Sequence, residues 1–128
     1  MLSKQISVFL ENRDGRLNEV LSVLDKAKVN ILSLSLADTS DYGLLRIIVD
    51  DSEKGSKALS ESGFSAKVSL VTIVSIPHAV GALSVLVSKL AENKVNVEYM
   101  YGLSLYGDNA SVVIKTSDPE TTEKILNA

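Results

Sequence analysis

The sequence predicts an α+β fold built twice: two βαββαβ units with antiparallel sheets and helices on one face, the second unit lacking its last strand. Three observations carry this. Runs with period-2 apolar spacing alternate with runs of helical spacing, in the order strand, helix, strand, strand, helix. Clusters of turn formers stand where hairpins are needed. The chain also repeats itself at an offset of 66 positions (81 − 15 = 66), so that Gly15 meets Gly81. An internal repeat constrains architecture more than any single element does.

The register of the repeat holds along both halves. Leu17 meets Leu83, Ser22 meets Ser88 and Leu24 meets Leu90. Lys28-Val29-Asn30 then meets Lys94-Val95-Asn96 without a gap, and Ile48 meets Ile114. Other pairs keep their character, as Val8 with Val74, Val20 with Leu86 and Ile31 with Val97. The division expected is residues 1–69 and 70–128.

Within the first copy, Ile6, Val8 and Leu10 alternate with polar or outward positions, the mark of a half-buried strand. Leu17, Val20, Leu21, Leu24 and Ala27 follow at helical spacing and make one apolar stripe. Val29-Asn30-Ile31 opens a second strand, in which Leu32, Leu34 and Leu36 alternate with Ser33 and Ser35. Asp38-Thr39-Ser40-Asp41-Tyr42-Gly43 reads as the hairpin loop. Leu44 to Val49 returns as a strand. Asp50 or Asp51 can cap a short helix, with Glu53 placed for a capping box, and Gly63 marks its end. Residues 64–76 are extended, long enough to finish one copy and begin the next.

The second copy repeats the order. Leu83, Leu86, Val87, Leu90 and Ala91 stripe a helix. Residues 95–105 and 110–115 form a hairpin around Tyr106-Gly107-Asp108-Asn109. Asp118-Pro119 starts a helix, an N-cap followed by proline at the first helical position. This order is the split-βαβ, ferredoxin-like arrangement. With no closing strand in the second copy, either a longer chain or a neighbour must cover that edge.

Composition narrows the functional classes. A formal charge of −3 argues against a nucleic-acid surface. No run approaches the roughly 20 apolar residues of a membrane span. Met1-Leu2-Ser3-Lys4-Gln5 leads straight into a short strand and lacks a signal peptide's apolar region. The absence of cysteine removes thiol catalysis, disulfides and thiolate metal sites. One histidine and no paired carboxylates in a motif leave no nucleophile–base arrangement, so an enzyme is not expected. Neither a cofactor nor a metal is expected, and a soluble cytoplasmic protein is.

Chemistry concentrates in two turns. Asn12-Arg13-Asp14-Gly15-Arg16-Leu17 passes from a strand through a glycine into a helix, and Ile76-Pro77-His78-Ala79-Val80-Gly81-Ala82-Leu83 does the same. Such a corner gathers unpaired backbone N–H groups at the positive end of a helix dipole, which suits a carboxylate or phosphate.

A strand ending in Asp-Gly-Arg-Leu, a helix, then Val-Asn-Ile opening a strand, all made twice, resembles the ACT-domain family, above all stand-alone proteins of two ACT units. The resemblance covers essentially the whole chain. It implies ferredoxin-like units that pair with one another and bind small ligands, most often amino acids, between them, frequently to regulate an enzyme. The implied ligand-facing residues are Asn12, Asp14, Gly15, Arg16 and Leu17 with Asn30 and Ile31 in the first copy. In the second they are His78, Gly81, Ala82 and Leu83 with Asn96 and Val97. The family's proline before the glycine is replaced by Asp14 and Val80, and the second loop has His78 and Ala79 where an acidic residue is usual. The first copy is therefore the better site.

The residues support the same function independently. Backbone N–H groups at Gly15 to Leu17 can hold a carboxylate, and Asp14 or a carbonyl near Asn30 can take an ammonium. Tyr99, Met100 and Tyr101 offer apolar walls, though alternation on a strand keeps them from all facing one way. Plainer roles compete. Gly15 and Gly81 can serve a tight turn alone, Asn30 and Asn96 can serve unusual dihedrals at a strand entry, and Asp14 can be a helix-terminus charge. His78 reads as a solvent-facing loop residue, and Asp38, Asp41, Asp50 and Asp51 as turn and cap residues. The expected function is a non-catalytic amino-acid-binding regulatory protein, homodimeric, with an amino-acid metabolic enzyme as partner. The alternative is a structural or dimerising regulatory subunit with no ligand of its own.

Overall fold

The structure is a computed structural model and describes residues 1–11, 13–38, 41–104 and 108–126. Its elements are β1 (Leu2–Glu11), α1 (Arg16–Lys26), β2 (Ile31–Asp38), β3 (Tyr42–Val49) and α2 (Ser52–Glu61), followed by β4 (Ser65–Pro77), α3 (Ala82–Glu92), β5 (Val97–Ser104), β6 (Asn109–Thr116) and α4 (Pro119–Leu126). Asn12, the loop residues Thr39 and Ser40, and Tyr106 and Gly107 of the second hairpin lie outside the described residues. The chain divides into a first unit, Lys4–Ser69, and a second unit made of Met1–Ser3 and Leu70–Ala128.

In the first unit the strand order is β2-β3-β1-β4. The β1–β3 pair is antiparallel, from Ile6 opposite Ile47 to Glu11 opposite Tyr42. The β2–β3 pair is antiparallel too, with a bulge between Ile31 and Ser33. Because side chains alternate across a strand, Ile6, Val8, Leu10, Leu45 and Ile47 share the covered face. There they pack with Val20 and Leu24 of α1 and Leu59 of α2. Each such side chain fully removed from water contributes about 1.5–3 kcal/mol.

The second unit has the order β1-β4-β6-β5, where its share of β1 is the stretch ending at Ser3. Thr72 to Pro77 pair antiparallel with Ile114 to Asn109. Its core joins Leu86 and Leu90 of α3 to Val95, Val112 and Ile114. The edge beside β4, expected to need a longer chain or a neighbour, is instead paired by the chain's own first residues. Met1 and Ile73 exchange both backbone hydrogen bonds at 2.8 Å, as an antiparallel bonded pair does. The Met1 ammonium also lies 2.9 Å from Glu123.

Helix ends show the duplication at atomic detail. After α1 the Val29 N–H donates to Leu24 O and the Lys28 N–H to Asp25 O. After α3 the Val95 N–H donates to Leu90 O and the Lys94 N–H to Ala91 O. This is the Schellman pattern, and its left-handed residue is a lysine in both copies, with φ 60° at Lys28 and 59° at Lys94. The unusual dihedral expected of Asn30 and Asn96 falls two residues earlier. At α2 the cap is Asp51, which accepts the Lys54 N–H at 3.1 Å. Glu53 is thereby one position short of the capping box expected for it, while Asp50 Oδ1 accepts the Asn30 N–H at 3.0 Å.

Candidate functional site

The strand-to-helix corner is built in the same way in both copies. In the first, the Arg13 N–H donates to Glu11 O and the Arg16 N–H reaches Arg13 O at 3.5 Å. In the second, the Ala79 N–H donates to Pro77 O and the Ala82 N–H to Ala79 O, all at the same 66-residue offset. Gly15 and Gly81 turn the chain with φ 84° and 83°, and neither helix start receives a side-chain cap. A left-handed φ of this kind suits glycine. The first intrahelical bonds are those from Glu19 N–H to Gly15 O and from Val85 N–H to Gly81 O, so the N–H groups just ahead of them have no partner within their helix.

The two corners differ in their side chains. Beside the first lies a cavity of about 300 Å³ lined by Leu10, Glu11, Arg13, Arg16, Leu17, Leu36, Ala37 and Gly43. Strand register explains why these meet. Leu10 stands opposite Gly43, and Gly43 opposite Asp38, so the end of β1, the start of β3 and the end of β2 lie at one rim of the sheet. Gly43 carries no side chain, and a Cβ there would stand 3.5 Å from Leu36 Cδ1. Its absence helps keep the space open.

Charge at the rim has both signs. Arg13 Nε lies 3.0 Å from Glu11 Oε2, between groups that are more than half exposed. Arg16 reaches Glu19 at 2.6 Å and Glu11 at 3.8 Å, and its guanidinium carbon stands 4.3 Å from the centroid of the Phe64 ring. Its side chain is only 16% exposed, and its Nε is buried without a hydrogen-bond partner. Such an orphan donor is costly to leave unmade.

At the second corner, positions offset by 66 from Glu11, Arg13 and Arg16 are Pro77, Ala79 and Ala82. The charged rim is gone. A cavity of about 310 Å³ there is bounded by Val74, Ile76, Pro77, Ala82, Val85, Leu86 and Leu126, with Ser75 and Lys89 as its polar members.

The residues singled out by sequence are distributed as follows. Arg16 and Leu17 line the first cavity, Gly15 makes its turn, and Asp14 is exposed in the same turn but is not among the lining residues. Asn30 and Ile31 lie at the opposite end of that unit's sheet, where Ile31 faces Val49. Six steps along β2, or about 20 Å, separate Ile31 from Ala37. The Asn30 carbonyl accepts the Asp50 N–H at 3.0 Å. Of the second set, Ala82 lines its cavity. Gly81 and Leu83 are exposed beside it, as is His78, whose N–H donates to Asp108 O. Asn96 and Val97 lie at the far end of β5, where Val97 faces Thr116. Tyr99 and Tyr101 stack on each other with centroids 6.5 Å apart, and Met100 packs against the second core instead.

Glu11, Leu10, Leu36, Ala37 and Gly43 were not among the residues picked out by sequence, and Arg13 was read as part of the turn but not as ligand-facing. Glu11 and Arg13 were within reach, because both are charged beside a helix start. The others arrive through strand pairing. Among the described residues no group of three or more His, Cys, Asp or Glu could hold a metal ion, and no helix is long and apolar enough to cross a membrane.

Comparison with solved structures places this arrangement among known folds. A protein of Bacteroides thetaiotaomicron superposes with a TM-score of 0.93 at 38% identity, over 99% of this chain and 88% of that one. The regulatory subunit of aspartate kinase from Thermus thermophilus follows with a TM-score of 0.68 at 17% identity, over 99% and 95%. The same subunit from Thermus flavus gives 0.67 at 18%, over 99% and 94%. At that identity the Thermus structures share the fold. Comparison with curated proteins returns no match. The family model described as an ACT domain pair matches residues 1–128, the whole sequence, and with two ferredoxin-like units joined by one repeat register the chain belongs to that ACT domain pair family.

Proposed function

We propose that this chain is a non-catalytic cytoplasmic sensor that binds a free amino acid at the corner of its first unit and regulates an enzyme of amino-acid metabolism. The observation that carries the reading is the cavity at the head of α1, whose rim holds Glu11, Arg13 and Arg16. At about 300 Å³ it is at the small end of ligand sites, the size an amino acid needs. A zwitterion carries one carboxylate and one ammonium. The Arg16 guanidinium and the N–H groups of Leu17 and Asn18, which precede the first intrahelical bond, suit the carboxylate, and Glu11 suits the ammonium in place of the Asn30 carbonyl, which is already bonded. The exposed Glu11–Arg13 pair is worth under about 1 kcal/mol, so exchanging it for ligand contacts costs little. The Thermus proteins of the same fold are regulatory subunits of aspartate kinase, which supports a regulatory role. Homodimerisation belongs to the proposal as well: β2 is an edge strand of its unit, and its Leu32 and Leu34 are about half exposed.

A thermal-shift panel over the twenty amino acids tests this. A ligand at about 100 times its dissociation constant adds roughly 2.7 kcal/mol, and each kcal/mol moves the midpoint by roughly 3–5 °C in a chain of this length. At least one amino acid is expected to shift the wild type and to leave Arg16→Ala unshifted. A flat panel would favour the ligand-free structural subunit.

A further inference from the structure

We infer that the first-unit cavity selects an α-amino acid with an aliphatic side chain, of the valine, leucine or methionine class. This rests on the proposal that the corner binds an amino acid and names the class. The rim and the walls have different chemistry. Among the described residues, the charged lining groups Glu11, Arg13 and Arg16 belong to the strand-to-helix turn or its flanks, and the others are Leu10, Leu17, Leu36, Ala37 and Gly43. Among the described residues no lining side chain away from the rim carries a polar atom. A hydroxyl, amide or charge on the ligand's side chain would leave water there without a replacement partner, which is unfavourable.

A basic ligand fares no better than other polar ones: Glu11, and Glu19 which holds Arg16 at 2.6 Å, lie at the turn, and the described wall residues give a second cation no partner. An acidic side chain could reach Arg13, but it would sit at the exposed rim and leave the leucine walls uncovered. Depth is set by Gly43. A Cβ at that position meets only Leu36 Cδ1 and Ala37 O, both at 3.5 Å, an ordinary contact distance, so added methyl groups take up cavity space without forcing the backbone. In the second unit the equivalent position is Asn109, consistent with a site kept in one copy only.

Calorimetric titration of the full chain with isosteric pairs tests the inference. Valine should bind about tenfold or more tightly than threonine, and leucine than asparagine, since each partner differs by polar atoms at nearly equal size. Gly43→Ala should weaken leucine about tenfold relative to alanine, the effect of one methylene-sized change in an apolar pocket. Leu36→Ala, at a half-exposed position, gives a second variant that removes wall without burdening the fold, and it should weaken leucine more than alanine. Preference for threonine, asparagine, lysine or aspartate would overturn the aliphatic assignment while leaving amino-acid binding intact. Equal loss for all ligands in both variants would also overturn it. No binding of any amino acid by the wild type would instead remove the site itself, and this inference with it.

Discussion

Lys28 and Lys94 occupy a backbone conformation that glycine usually takes, and they do so at the same place in each copy. The left-handed region costs an L-residue roughly 1–2 kcal/mol, yet the Schellman bonds around both lysines are complete. Lys28→Gly is therefore expected to stabilise the protein by about 1 kcal/mol, read as a higher midpoint in urea with an unchanged slope. Gly15→Val should do the reverse. Nothing lies within 4 Å of a Cβ at Gly15, so the whole cost is the strained φ of 84°, again about 1–2 kcal/mol. At this scale the sequence was legible as a pattern and less so as geometry. The Lys-Val-Asn triplet was visible in both halves, but asparagine's tolerance for unusual dihedrals pointed to the wrong member. The cap geometry fixes the left-handed residue by counting from the last helical turn, and that count depends on where α1 and α3 stop.

Helix ends also carry the pH response. Asp118 opens α4 by accepting the Thr121 N–H at 3.1 Å and the Thr121 hydroxyl at 2.6 Å. The Thr121 hydroxyl bond, ahead of its backbone bond and the charge of Lys124, holds the Asp118 carboxyl below its ordinary value. A carboxyl depressed in the folded state contributes stability above its unfolded pKa and loses it as pH falls through the folded one. Asp118→Ala should thus lower the melting point at pH 7, and the gap from wild type should close below about pH 4. Asp118-Pro119 was readable in advance because cap and first-turn proline are adjacent in sequence. Packing between elements was not. Gly55 of α2 lies against the sheet and α1, where a Cβ would come within 3.2 Å of Ile6 Cδ1 and 3.4 Å of Val29 Cγ1. Gly55→Val is expected to cost about 1–3 kcal/mol through overpacking, measured by chemical denaturation. The sequence placed Gly55 mid-helix with no hint that the sheet needed the room.

For the molecule as a whole, duplication was the most legible property, since identities at one offset survive any error in element boundaries. Two things were hidden by distance along the chain. Met1 pairs with Ile73, 72 residues away, and no local pattern announces that the first residues will serve the second unit's open edge. The cavity walls Leu36, Ala37 and Gly43 likewise reach Leu10 through strand register, which periodicity alone leaves open by one or more residues. Hence the turn was readable from the sequence, while the residues that strand pairing brings beside it were not. The contrast between Glu11, Arg13, Arg16 and their counterparts Pro77, Ala79, Ala82 is the physical basis for expecting one working corner per chain. Isothermal titration calorimetry with the amino acid that gives the largest thermal shift measures this directly. The expected result is one site per chain, lost in Arg16→Ala and retained in Leu83→Ala at the second corner. Two equivalent sites, or binding that survives Arg16→Ala and disappears in Leu83→Ala, would contradict it.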